Sequence, residues 1–403
     1  LTYARYMIHD SKRAIDYLVS RPDVDPERIG ATGCSGGGTQ TTFIAALDAR
    51  VKAAAPACYL QSFELSFAND SAIGDSEQSW PGFIAAGLDE TDFVELFAPK
   101  PWLIGSTQAD FFRPNAARAV YEEARAFYQH FDQADHVAWV VGPGGHGTPP
   151  VVREGIYGWF LKHLNRGEGD AREVPVKAFA EAELWVGPTG SVARDFGSRD
   201  VQELIREEAA AKPAGGAAKF VSQRVKESRA RLMQESLSDG VRVTQHLITV
   251  EEGLEIAATY HAPAQTPRGA LLLVEPAPRA LELAKQGYAV LTVRPRGTPF
   301  GGTRGWLGDW MANTRAWLVG RSLVEQRVDD ILAGVDFLAA RAPGVEIRAA
   351  ASGVAGFWLL LARRADPARI ARAWVDRTPH DLCSAVGATL HQELHDAVWP
   401  GFC

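Results

Sequence analysis

The sequence predicts an α/β protein built on a mostly parallel sheet flanked by helices. Three observations carry that prediction. Gly33-Cys34-Ser35-Gly36-Gly37 lies between a short apolar stretch, 28–31, and a helix-like run, 39–47, which reads as strand, tight turn and helix. Strand-like and helix-like segments alternate downstream of it. A stretch near the start also recurs near the end, with its offset held between 318 and 320, so the same fold is present twice.

Taken in order, residues 3–20 read as an amphipathic helix, and 25–28 turn into the elbow strand. Residues 51–58 read as the next strand. Residues 59–97 form an irregular insertion carrying Tyr59, Phe63, Phe67, Trp80, Phe83, Phe93 and Phe97. Residues 101–106 read as a strand, 115–131 as a helix with Ala119, Val120, Ala124, Phe127 and Tyr128 at helical spacing, and 136–141 as a strand. A glycine-rich loop, Gly142 to Gly147, then leads into a helix at about 150–164.

Residues 1–165 thus read as the C-terminal part of one α/β domain. Residues 166–240 are richer in charge, alanine, glycine and proline, and read as a linker with helix near 200–211 and 219–236. Residues 241–403 read as the N-terminal part of a second copy. It opens with a period-two hairpin over 241–260, followed by buried-type strands at 270–274 and 288–293 and a helix at 324–341.

The repeat pairs Asp10, Asp16 and Leu18 with Asp330, Asp336 and Leu338, and 28–38 with 346–356. Trp80-Pro81-Gly82-Phe83 recurs as Trp399-Pro400-Gly401-Phe402. Both copies then read as truncated, a window on a longer tandem protein. Strands 28–33 and 346–351 compete for one neighbour, 270–274. Matched packing favours 346–351, which leaves two partial sheets and puts 28–33 at an exposed edge.

Composition narrows the class. The chain has 403 residues, 46% hydrophobic and 23% charged, with a net charge of −7, which argues against nucleic acid or an anionic membrane as partner. No apolar stretch reaches transmembrane length. Cys34, Cys58, Cys383 and Cys403 show neither metal-ligand spacing nor disulfide-scaffold density. Cys34, beside the serine, reads as a small buried apolar residue. No metal or cofactor is expected. The glycine-rich turn lacks the Lys-Ser/Thr ending of a phosphate cradle.

The chemistry centres on Ser35. A tight turn would project its hydroxyl above the sheet, with Gly33 and Gly37 free of β-carbons where strand and helix backbones approach. The Gly36 N–H, at a helix start, would face a developing oxyanion. A serine nucleophile needs a base, and the base needs an orienting acid. In chain order these are Asp110, after the 101–106 strand, and His146, in the glycine-rich loop. His9 and His130 fall on helices, His136 begins a strand, and Asp89 and Asp92 lie in the insertion. Trp80 is a candidate sugar contact, against the alternative that it packs in the insertion's own core. At the second elbow Gly353 stands where Ser35 does, and Ser352 is one place early, so that copy lacks a nucleophile. Its early loop, 275–278, carries two prolines without N–H groups.

Gly33 to Gln40, Asp110-Phe111-Phe112 and Gly145-His146-Gly147 resemble the α/β-hydrolase superfamily, in particular its bacterial tandem-domain acetylxylan-esterase and dienelactone-hydrolase-like branch. The resemblance covers 1–165 with all three motifs, and 241–403 with the elbow serine lost. It implies hydrolysis of carboxylic esters through an acyl-enzyme. Small-molecule or polysaccharide esters would be substrates, often short acetyl groups on plant polysaccharide. It also implies export, to the periplasm or outside the cell. A prolyl-oligopeptidase-like peptidase shares the elbow, and a non-catalytic carbohydrate-binding protein of the same fold is an alternative of another class.

Overall fold

The computed structural model describes residues 3–68, 75–211, 220–225, 227, 229–274, 277–298 and 310–376. The chain divides into two units, Leu1–Glu208 with Leu318–Gly320, and Ala209–Trp317 with Arg321–Cys403.

In the first unit, α1 (Tyr3–Ser20) precedes β1 (Ile29–Cys34), α2 (Gly36–Leu47) and β2 (Val51–Ala57). The 59–97 insertion contains two short helices, α3 (Phe63–Ala68) and α4 (Thr91–Phe97). Then come β3 (Trp102–Thr107), α5 (Pro114–Tyr128), β4 (Val137–Gly142) and α6 (Pro150–Leu164). The four strands are parallel, in the order β1-β2-β3-β4, with β1 at an edge.

Helices cover both faces, which is why β2 and β3 read as apolar runs without alternation. Ile15 of α1, Ile44 of α2, Val94 of α4 and Val120 and Tyr128 of α5 pack on one face around Trp102 and Ile104. Val152, Ile156 and Trp159 of α6 pack on the other, against Ala55, Ala57 and Leu103.

Register places the functional end. Cys34 lies opposite Ala57, Ala57 opposite Gly105, and Thr107 opposite Gly142. Ser35, Cys58 and the loops 108–113 and 143–149 therefore all leave the same carboxyl edge of the sheet.

After α6 the chain is largely irregular and exposed, with a short α7 (Val192–Phe196) and then α8 (Val201–Ala210), where the sequence predicts helix. The helix expected at 219–236 is absent among the described residues of that stretch. Residues 229–238 form β5 (Arg229–Ser238), the first strand of an antiparallel meander with β6 (Val241–Glu251) and β7 (Leu254–Ala262). Asp239 and Gly240 supply the tight turn, with φ 50° and 80°. β5 is exposed along nearly its whole length, so it has no buried face to imprint a period-two pattern.

The meander continues into β9 (Tyr288–Val293). That strand pairs with the parallel run β8 (Gly269–Val274), β10 (Ile347–Ser352) and β11 (Ile370–Asp376), in the order β11-β10-β8-β9-β7-β6-β5. β10, not β1, is thus the partner of β8. α9 (Ala280–Lys285) covers one face, and α11 (Leu323–Arg341) and α12 (Val354–Ala365) the other, while α10 (Trp310–Leu318) precedes α11. The second Trp-Pro-Gly-Phe run, 399–402, lies outside the described residues.

Candidate active site

β1 delivers Ser35 to the start of α2 with left-handed backbone, φ 59° and ψ −121°. A non-glycine residue holds that conformation only under strain, and such strain gathers at functional sites. The Ser35 N–H donates to the Ala57 carbonyl at 3.0 Å, which pins the turn to β2. Close approach does require glycine at 33, where a β-carbon would sit 2.4 Å from the Gly37 carbonyl oxygen. The second constrained position differs from the expected one. A β-carbon on Gly37 would meet open space, whereas one on Gly38 would lie 2.5 Å from the Ala57 oxygen. Gly36 opens α2, so its N–H is among the donors without an intrahelical partner.

Asp110 and His146 come together as the chain order predicts. His146 Nδ1 and Asp110 Oδ1 are hydrogen-bonded at 2.9 Å. The carboxylate side chain is 1% exposed and the imidazole 28%, so the acid is shielded while the base is open to solvent. Three further bonds lace the two loops together. Gln108 N–H donates to the Gly142 carbonyl at 3.0 Å, Ala109 N–H to that of Gly144 at 2.9 Å, and the Thr107 hydroxyl to that of Gly145 at 2.9 Å. The Phe112 N–H also donates to Asp110 Oδ1, at 3.0 Å. Gly144, with φ 89°, makes the bend that this lacing needs.

Two residues here escaped the sequence. Cys58, at the end of β2, has φ 52° and is buried. Its thiol donates to the Gly147 carbonyl at 3.0 Å, beside the imidazole, and burial pushes its pKa up. Cys58 Sγ, an Asp110 oxygen and a His146 nitrogen lie within 4.8 Å of one another, the spacing of a metal-ligand set. The thiol keeps its proton on a carbonyl, and the other two groups bond each other, so all three are engaged. The other residue is Phe111, whose ring stacks on His146 with centroids 4.3 Å apart and planes at 27°.

The competing candidates lie elsewhere. His136 precedes β4, at the opposite end of that strand from His146, and bonds the Pro99 carbonyl. Asp89 accepts the Phe63 N–H, and Asp92 accepts that of Asp89. Trp80 packs against Phe43 of α2 and against Phe83 and Phe93 of the insertion, with centroids 5.0, 6.0 and 5.7 Å away, so it helps seat the insertion on α2. The Ser35 hydroxyl has no hydrogen-bond partner among the described residues, and the residue is half-buried.

β10, Gly353 and α12 repeat the elbow in the second unit. Gly353 has φ 60° and ψ −142°, and its N–H donates to the Asp376 carbonyl of β11 at 2.8 Å.

Residues 2–92 match the family model described as acetyl xylan esterase (AXE1). The chain is 30% identical over 159 residues to "Putative hydrolase YtaP" of Bacillus subtilis (strain 168), covering 39% of this chain and 53% of that protein. The chain thus spans about half the length of that curated relative. Among solved structures, Methylesterase BT1017 matches with a TM-score of 0.35 and 29% identity, over 40% of this chain and 35% of that one. A glucuronoyl esterase from Sporotrichum thermophile matches at 0.37 and 18%, over 47% and 59%. The matched segment 2–92 holds α1, the elbow, β2 and most of the insertion, so this part of the parallel, helix-flanked first unit is similar to the acetyl xylan esterases.

Proposed function

We propose that the first unit is a serine carboxylic-ester hydrolase acting on carbohydrate esters through an acyl-enzyme. The observation that carries this reading is the 2.9 Å bond between Asp110 and His146, at the same sheet edge as the left-handed Ser35.

With Nδ1 held by the carboxylate, Nε2 is the nitrogen left to take a proton. Ser35 Oγ attacks the ester carbonyl, and its proton passes to His146 Nε2. The carbonyl oxygen becomes an oxyanion facing the Gly36 N–H at the start of α2. When the C–O bond to the alcohol breaks, His146 returns the proton to the leaving oxygen. Water then repeats the sequence on the acyl-enzyme, releasing the carboxylic acid and free Ser35. Buried Asp110 orients the imidazole and stabilises its charged form.

Likeness to acetyl xylan esterases over 2–92 supports a sugar-borne acetyl ester as substrate. In the same reading the second unit is a tandem copy that has lost its nucleophile, because Gly353 has no side chain to acylate. Replacing Ser35 with alanine tests the proposal on p-nitrophenyl acetate and acetylated xylo-oligosaccharide. Turnover should fall by roughly 10³-fold or more. Unchanged turnover would overturn the reading.

A further inference from the structure

In the mechanism proposed above, His146 returns its proton to the leaving oxygen. The alcohol portion of the ester must therefore lie within hydrogen-bond reach of the imidazole in every turnover. Whatever apolar surface borders that ring meets the alcohol portion directly. Two aromatic side chains border it. Phe112 is buried, with its centroid 5.8 Å from the imidazole, and it also packs on Tyr59 at 6.2 Å. Phe111 is 60% exposed although it stacks on the imidazole at 4.3 Å. One face of the Phe111 ring is spent on His146, so the exposure belongs to its other face and rim.

The exposed part of the Phe111 ring is apolar surface next to the base, and a ligand ring that covers it is stabilised in proportion to the area buried. A pyranose suits the position, because the C–H groups on its faces make apolar patches ringed by hydroxyls that stay hydrated. Trp80, the aromatic residue the sequence offered for this contact, is packed between the insertion and α2.

We propose that Phe111 is the platform for the sugar ring of the leaving alcohol, and so a specificity-determining residue for carbohydrate over simple alkyl esters. The inference rests on the esterase reading. Its test is the ratio of kcat/KM for an acetylated methyl xylopyranoside to that for ethyl acetate, measured on the full chain. Any disturbance of His146 in Phe111→Ala weakens both reactions alike and cancels in the ratio. The ratio should fall by roughly five- to tenfold in Phe111→Ala. It should recover in Phe111→Trp, which keeps an aromatic face. A ratio that stays put while both rates fall would overturn the platform and leave the esterase intact. Wild-type protein inert on both esters would instead fail the esterase reading, and the platform with it.

Discussion

Ser35 and Gly353 occupy the same backbone position in two separate elbows. Their φ values are 59° and 60°, and each N–H donates to a carbonyl of the neighbouring parallel strand, Ala57 in one unit and Asp376 in the other. The likeness extends beyond the turn. Arg50 joins Asp16 to Asp48, both at 2.6 Å, and Arg369 joins Asp336 to Asp366 in the same way. The Asp16 and Asp336 pairing was legible in the sequence repeat. The arginines that complete each triad were not, since only the fold brings 34 or so residues of separation to contact distance. One elbow carries a hydroxyl where the other carries a hydrogen atom, which concentrates the proposed chemistry in one unit.

Asp110→Asn should slow ester turnover by roughly 10³- to 10⁴-fold without unfolding the protein. The amide can present N–H to His146 Nδ1, which turns the imidazole to the tautomer with its proton on Nε2, facing the serine. Thermal melting with matched kcat values checks this. Near-wild-type turnover would remove Asp110 from the proposed site.

Gly38→Ala should damage the elbow more than Gly37→Ala. The added methyl meets the Ala57 carbonyl at 2.5 Å in the first case and open space in the second. Overpacking against fixed backbone costs about 1–3 kcal/mol. The melting temperature should drop in Gly38→Ala and hold in Gly37→Ala. Equal melting temperatures would contradict the packing described here.

His163 gives the first unit an acid limb. Burial of the ring beside Trp159 pushes its pKa down to about 4 from an ordinary 6.5. Between those values the unfolded chain binds a proton that the folded one refuses, so stability falls as pH drops from about 6.5 through about 4. The loss is on the order of 1–2 kcal/mol once solvent screening of a half-buried ring is allowed for. His163→Phe should flatten that part of a stability-against-pH curve. An unchanged slope would show that other groups set it.

Much of this was readable from residue order. Apolar runs bounded by turns located β1 to β4, and the glycines around Ser35 and His146 marked two loops at the carboxyl edge, the second of which brings His146 to Asp110. Local pattern failed where tertiary contact decides. β5 is exposed on both faces, with its apolar residues Leu232, Met233 and Leu237 open to solvent, so burial imprints no period-two pattern on it. Gly38, not Gly37, is sterically constrained, because the obstacle is a carbonyl on β2 rather than anything nearby in sequence. The roles of Cys58 and Phe111 were not legible in sequence because they arise from the loop across the sheet edge.

The most direct test of the account is where a fluorophosphonate probe attaches to the intact chain. Such a probe phosphonylates a serine whose hydroxyl is activated by a neighbouring base, forming a Ser–O–P bond as fluoride leaves. Peptide mapping should place a single label on Ser35, and it should vanish in Ser35→Ala and weaken strongly in His146→Ala. A label in the peptide spanning 348–363, or an equal label without Ser35, would contradict the assignment of the chemistry to the first elbow.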